Sequence, residues 1–232
     1  MDIIKLEHLV KQFPVGKGVF TALNDVNLSF GEGEFAGFVG PSGSGKTTLL
    51  NIIGSLDTPT QGSATVMGQS IEHLTHKQSA RLRNEHIGFI FQTYNLLPVY
   101  TVFENVEFSL LLQSMSAADR KEAVMQALEW VGLTDKVDSK PSMLSGGECQ
   151  RVAIARSMVK KPEIVLADEP TANLDSKNSH HILETMKKLN EELKVTFLFS
   201  THDEKVMQYL DRIISLEDGK VVGDKITETV AS

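Results

Sequence analysis

Eight consecutive residues, Gly40-Pro41-Ser42-Gly43-Ser44-Gly45-Lys46-Thr47, limit what this chain can fold into more than any other stretch. They satisfy the pattern G-x-x-x-x-G-K-[ST], and the segment Glu34 to Gly40, read as a buried strand, leads straight into them. A helix from about Gly45 to Ile53 should follow, stopped by Gly54 and Pro59. In a strand–loop–helix setting such glycines let the backbone wrap around phosphate oxygens, with N–H groups pointing inward at a helix N-terminus. Lys46 would then reach the β- and γ-phosphates of a nucleotide, the Thr47 hydroxyl would ligand Mg²⁺, and Thr48 would touch the inner phosphates.

The rest of the chain agrees with an α/β fold around that loop. Short runs rich in Val, Ile and Phe alternate with longer helical patterns, which predicts a mostly parallel sheet flanked by helices. Glu163–Asp168 and Val195–Ser200 read as two more buried strands, and Asp218-Gly219 as a hairpin turn between Arg212–Glu217 and Lys220–Val222. Between Gln92 and Pro162 the pattern turns mostly helical. Ser116-Ala117-Ala118-Asp119 has a capping-box pattern opening a helix to about Val131, and a second helix starts near Gly146. A further helix runs from about Ser176 to Lys194, with Ile182, Leu183, Met186, Leu189 and Leu193 expected in the core.

Composition excludes several functions. The 232 residues carry a net charge of −7, so no general basic field exists for nucleic acid. A single cysteine, Cys149, permits no internal disulfide and suggests a reducing compartment; it is read as a packing residue. Met1-Asp2-Ile3-Ile4-Lys5 lacks the features of a secretory signal, and no apolar run approaches the ~20 residues of a spanning helix. A cytosolic chain that meets membranes only through a partner is the expectation.

Ile164-Val165-Leu166-Ala167-Asp168-Glu169 is an apolar strand ending in two carboxylates. In a sheet carrying a phosphate loop, Asp168 can hold Mg²⁺ through its water shell, and Glu169, one residue on, can face the attacking water as general base. His202 ends another apolar strand on the ligand side of such a sheet, where it could bond the γ-phosphate. Gln92, leaving the Ile87–Phe91 strand, could contact Mg²⁺ or the water. The other six histidines (His8, His73, His76, His86, His180, His181) are read as surface or packing residues.

Leu144-Ser145-Gly146-Gly147-Glu148 places a Ser-Gly-Gly turn at a helix N-terminus, where hydroxyl, N–H groups and helix dipole favour an anion. In isolation it would be an N-cap with two permissive glycines. With a first anion site elsewhere on the chain, the simplest arrangement has two copies facing each other.

Over nearly its whole length this sequence resembles the nucleotide-binding domain of ABC transporters. Gly40–Thr47 resembles the family's Walker A motif, Gln92 its Q-loop, Leu144–Glu148 its signature, Ile164–Glu169 its Walker B, Ala172-Asn173-Leu174-Asp175 its D-loop and His202 its switch histidine. The resemblance implies a single cassette over 1–232. An α/β core with a small antiparallel β subdomain (1–92 and 162–232) would surround a helical signature subdomain at about 93–161. Implied too are bound ATP and Mg²⁺, ATP hydrolysis, and a head-to-tail dimer with ATP contacts from Ser145, Gly146, Gly147 and Asp175. Phe13 would stack on adenine, in a position often occupied by Tyr. Glu169, His202, Lys46 and Gln92 would be the catalytic group. Asn173 and Cys149 depart from the commoner pattern.

Within the family, Leu49–Asp57, Ile87–Gln92 and Ala167–Asp175 are most similar to the bacterial lipoprotein-release, macrolide/peptide-export and cell-division ATPases. The resemblance therefore implies integral membrane permease partners, a place on the inner face of the cell membrane, and export or extraction of a lipoprotein, peptide or hydrophobic substrate. Tyr94-Asn95-Leu96-Leu97-Pro98 would border the partner's groove. An alternative is a regulatory module that signals through a membrane scaffold to cell-wall enzymes without transport. A small-molecule kinase would need an acceptor lid that is not evident.

Overall fold

The computed structural model describes residues 2–227. Ten strands and seven α-helices run through them in this order: β1 (Asp2–Val15), β2 (Gly18–Gly31), β3 (Phe35–Val39), α1 (Lys46–Ile53), β4 (Gln61–Val66), β5 (Gln69–Ser70), α2 (His76–His86) and β6 (Ile87–Ile90). Then come α3 (Val102–Glu107), α4 (Ala117–Trp130), α5 (Gly146–Met158), β7 (Ile164–Asp168), α6 (Ser176–Leu193), β8 (Thr196–Thr201), α7 (Glu204–Met207), β9 (Arg212–Glu217) and β10 (Lys220–Ile226).

Two sheets form. The larger is ordered β10-β9-β3-β8-β7-β6, parallel throughout except for the β9–β10 hairpin at its edge. The smaller is antiparallel, ordered β2-β1-β4-β5. The parallel strands are buried on both faces, and their side chains alternate between two cores. Phe197, Phe199, Val165, Ala167 and Phe35 face a cluster completed by α4, α5 and α6. Leu198, Leu166, Ile164, Ala36 and Phe38 face a second cluster with α1 and the antiparallel sheet. Burying each such phenylalanine contributes roughly 1.5–3 kcal/mol, so the sheet that carries the phosphate loop is clamped from both sides.

The strands after Glu34, Glu163 and Val195 lie within a residue of the sequence expectation, as does the hairpin at Asp218-Gly219. Four of the five core positions expected on α6 are buried. Leu193 is not: it stands 37% exposed, because the helix ends beside it at left-handed Lys194. Ser116 caps α4 through the Asp119 N–H, and Asp119 accepts from the Ser116 hydroxyl, its chain being too short to close the full box. Helix α2 and the 14-residue strands β1 and β2 are additions to the expected elements; the Thr75-x-x-Gln78 capping box that opens α2 is a pattern legible in the sequence. His8, His86 and His180 are in fact partnered, by Asp25, Glu163 and Tyr209.

Candidate active site

The loop between β3 and α1 owes its shape to glycine at three places. Gly40, Gly43 and Gly45 have φ of +150°, +82° and +104°, a region that side chains disfavour. A Cβ on Gly40 would lie 2.1 Å from the Leu216 carbonyl oxygen, and one on Gly45 2.6 Å from that of Ala22. The loop is thus pressed against both sheets, and the Gly219 N–H donates to Ser44 O at 3.1 Å. Gly45 is the N-cap of α1. No side chain caps this helix start and no acid occupies its first turn, so its leading N–H groups stay open to an anion.

Lys46 is 7% exposed, and its Nζ donates to Gly40 O at 2.8 Å and Pro41 O at 3.0 Å. An ammonium carries three donors; two hold the loop closed and one remains for a ligand. Among the described residues no carboxylate pairs with Lys46, which leaves its charge available to phosphate.

Two strand ends bring the acids to this loop. The Thr47 hydroxyl lies 3.3 and 3.2 Å from the two oxygens of Asp168, 121 residues away. Glu169 has φ +46°. This turn in the backbone sends Asp168 towards Thr47 and Glu169 towards His202, whose Nδ1 is 2.6 Å from Glu169 Oε1. Thr201 Oγ1 donates to Glu169 Oε2 at 3.3 Å, and the Glu169 N–H donates to Ser200 O at 2.9 Å. A non-glycine residue in this region costs on the order of 1–3 kcal/mol; here the strain gives two adjacent carboxylates different partners.

A cleft of about 420 Å³ joins these groups, lined by Ser42, Gly43, Gly45, Lys46, Thr47, Thr48, Gln92, Glu169 and His202. Phe20, Ala22 and Ser200 complete the lining and were not expected from sequence. The Ser200 hydroxyl is buried without a partner among the described residues, an orphan donor at the cleft wall. Among those residues no cluster of three or more His, Cys, Asp or Glu could hold a metal. The oxygens this chain could offer a Mg²⁺ ion are those of the Thr47 hydroxyl and the Asp168 carboxylate, with the Gln92 amide lining the same cleft as Thr47. That hard oxygen set fits an ion that takes few protein ligands and draws the rest from phosphates and water.

Three expected groups lie elsewhere. Phe13 is outside the cleft lining, opposite Phe20 in the β1–β2 register, with Lys11 Nζ 4.9 Å from its ring centre. Asp175 caps α6: its Oδ1 accepts from Asn178 N and its Oδ2 from Asn178 Nδ2, bonds that hold its carboxyl below the usual range. Ser145, Gly146 and Gly147 begin α5 away from the cleft. Tyr94 Oη and Asn178 Oδ1 crowd the two glycines, within 3.0 and 2.7 Å of added Cβ atoms. Two side chains lace the neighbouring loops together. Asn173 Nδ2 donates to Gln92 O at 2.8 Å. Arg156 of α5 donates to Asn95 O and Tyr94 O, each at 2.6 Å, and burial alone pulls its guanidinium below the ordinary arginine value. Cys149 is buried, and that burial pushes its thiol up, as befits packing rather than reactivity.

A phosphate-type loop fed by a buried strand, a Glu–His pair in its cleft and an aspartate bonded to the loop's threonine define the class as a P-loop ATPase cassette. The chain belongs to the ABC transporter family, whose profile matches residues 23–172. Phe13, Asp175 and His202 lie outside that matched span. The chain is 44% identical over 224 residues to the macrolide export ATP-binding/permease protein MacB of Burkholderia pseudomallei (strain 1710b), covering 97% of this chain and 34% of that protein. It spans about a third of the length of the MacB relatives that it matches. With the lipoprotein-releasing system ATP-binding protein LolD of Pseudoalteromonas translucida (strain TAC 125) it shares 44% identity over 219 residues, 94% of each. Its fold superposes, with a TM-score of 0.89 at 41% identity, on the ATP-binding cassette MJ0796 of Methanocaldococcus jannaschii. That structure, 97% of this chain against 99% of the other, is a dimer in a post-hydrolysis state bound to ADP and Pi. As a family member the chain is an ATP-binding, Mg²⁺-using ATPase cassette. Among the described residues no helix is long and apolar enough to cross a membrane.

Proposed function

We propose that this cassette works as a head-to-tail pair, hydrolyses ATP between its two copies and drives an integral membrane permease. The cargo would be a lipoprotein, peptide or hydrophobic molecule, exported or extracted from the bilayer. The observation that carries this reading is the separation of two anion-binding turns. The Lys46 loop shares its cleft with Glu169 and His202, while the Ser145-Gly146-Gly147 turn lies outside it. A second copy can bring that turn, and Asp175 beside it, over the nucleotide. The dimeric form of MJ0796 and the printed roles of MacB and LolD support the reading. Residues 1–232 act as one cassette, its helical part at about 93–161. It would sit on the inner face of the cell membrane, held by its permease, with Tyr94–Pro98 at the contact.

In this mechanism Lys46 and the open N–H groups of α1 hold the β- and γ-phosphates. Glu169 accepts the proton of the attacking water, and His202, bonded to that carboxylate, fixes its orientation beside the γ-phosphate. Gln92 lines the same space and orients the water. Mg²⁺, when bound by Thr47 and Asp168, supplies charge neutralisation at the phosphates.

The Glu169→Gln variant tests the reading. Turnover should fall by roughly 10²–10⁴-fold, the usual contribution of a general base. The variant should accumulate as an ATP-bound dimer on size exclusion. A variant that stays monomeric at saturating ATP would sink the paired mechanism.

A further inference from the structure

Two hydroxyls beside the phosphate loop are buried without a partner among the described residues, those of Ser44 and Ser200, and of these only Ser200 lines the cleft. Ser200 is 1% exposed. Its neighbour on β8 shows the ordinary condition. Thr201 Oγ1 donates to Glu169 Oε2 and accepts from Asp203 N at 3.0 Å, so that hydroxyl is used twice. A buried hydroxyl left unbonded costs the fold stability, which is why such groups are rare.

Sheet register says where the Ser200 hydroxyl stands. On β8, Ser200 pairs with Phe38 of β3 on one side and Asp168 of β7 on the other. Strand alternation puts it on the same face as Leu198, two residues back, which shares a core with Phe38 and α1. Ser200 is the step at which this apolar face turns polar. On the β3 side the chain runs on to Gly40, whose carbonyl accepts from Lys46. On the β7 side Asp168 meets Thr47, and the Glu169 N–H donates to the Ser200 carbonyl at 2.9 Å. The hydroxyl thus lies on the strand between the lysine grip and the two carboxylates, and shares the cleft with Lys46, Glu169 and His202. The open N–H groups of α1 suit the inner phosphates; these strand ends face the terminal one.

We propose that Ser200 is a further substrate-contacting residue, whose hydroxyl donates to an oxygen of the terminal phosphate of ATP and lets the cleft tell a triphosphate from a diphosphate. The proposal rests on the nucleotide reading above and adds a donor that no motif of the chain announces. A phosphate oxygen carries charge, so the bond it accepts is of the stronger kind. The strain of an unbonded buried hydroxyl stays with the nucleotide-free cassette and is relieved when a third phosphate arrives.

The experiment compares the parent chain with Ser200→Ala and Ser200→Cys by calorimetry. The ligands are Mg-ADP and, separately, the Mg complex of adenylyl imidodiphosphate, a triphosphate analogue that resists hydrolysis. Both variants should bind the triphosphate about tenfold more weakly, while ADP affinity stays within about twofold. Cysteine keeps the size of serine but is a weak donor, so its agreement with alanine separates the hydroxyl from packing. Melting of the nucleotide-free chain gives a readout of the opposite sign. Ser200→Ala should melt at or above the parent, by up to roughly 4 °C, because an unbonded buried hydroxyl has gone. Unaltered triphosphate affinity in either variant, equal loss of both ligands, or a nucleotide-free Ser200→Ala chain that melts below the parent would overturn the proposal. A parent chain that binds neither nucleotide would instead overturn the nucleotide reading, and this proposal with it.

Discussion

Helices α1 and α5 both begin at glycine-rich turns, yet they leave their first N–H groups in opposite conditions. At α1, Gly45 offers no side chain, no acid follows, and the donors stand open. At α5, Ser145 and Glu148 close a complete capping box. Glu148 Oε2 accepts from both the N–H and the hydroxyl of Ser145 at 2.8 Å, and Ser145 Oγ accepts from Glu148 N at 3.3 Å. An N-terminus attracts negative charge wherever that charge comes from. The first turn waits for an anion from outside; the second already holds one from its own chain. In the proposed pair, a γ-phosphate reaching Ser145 therefore has to displace Glu148 from that hydroxyl, so the second contact forms after the first and with less net gain.

Three measurements can break or sharpen this contrast. The largest effect is expected from Gly45→Ala. Its Cβ would strike the Ala22 carbonyl at 2.6 Å with the backbone at φ +104°, so nucleotide affinity should fall more than ~100-fold and stability by about 2 kcal/mol or more. Titration and a melting curve read both. Full ATP binding in this variant would mean that the open start of α1 is not the phosphate grip.

Ser145→Ala should act on the other side of the comparison. ATP binding by a single chain should stay within about twofold while turnover falls at least ~10-fold, because the missing hydroxyl serves only across the pair. Loss of the cap should cost about 1 kcal/mol. A parallel fall in single-chain affinity would place Ser145 in its own cleft and erase the distinction.

The smallest effect concerns Glu148, whose carboxyl is lowered first by the Ser145 N–H and then by its hydroxyl. A folded value below the free glutamate's 4.5 means that the cap's contribution is complete above 4.5 and is lost as pH falls through the lowered value. On this partly exposed group it should amount to a few tenths of a kcal/mol. Urea midpoints of the parent and Glu148→Gln should therefore differ at pH 7 and converge once the pH falls below the lowered value. A difference that persists at acid pH would show that the carboxylate charge is not what closes this turn.

The sequence carried the elements whose signals are local. A strand, a glycine loop and a lysine follow one another within a dozen residues, and Asp168-Glu169 ends a run that could only be buried. What it withheld depends on register. Nothing near Phe20 says that it pairs opposite Phe13, because the β1–β2 ladder shifts between Lys11 and Gln12, and such irregularities arise from packing. Asp175 is expected to contact ATP only because the family uses that position; within one copy its carboxylate caps α6 through Asn178, which no local pattern announces. Leu193 fitted the helical period, but periodicity does not announce where a left-handed residue will stop the helix.

Arg156 gives the molecule a mechanical property beyond its chemistry. Its guanidinium is partly buried and, among the described residues, held by the carbonyls of Tyr94 and Asn95. Pulling that segment away by an ångström or two would leave two charge-assisted hydrogen bonds unmade, at a cost of about 1.5–3 kcal/mol each. The stretch after Gln92 and the helix that opens with Ser145 are consequently geared together. Force applied to one tooth turns the other, because slippage between them breaks both bonds at once.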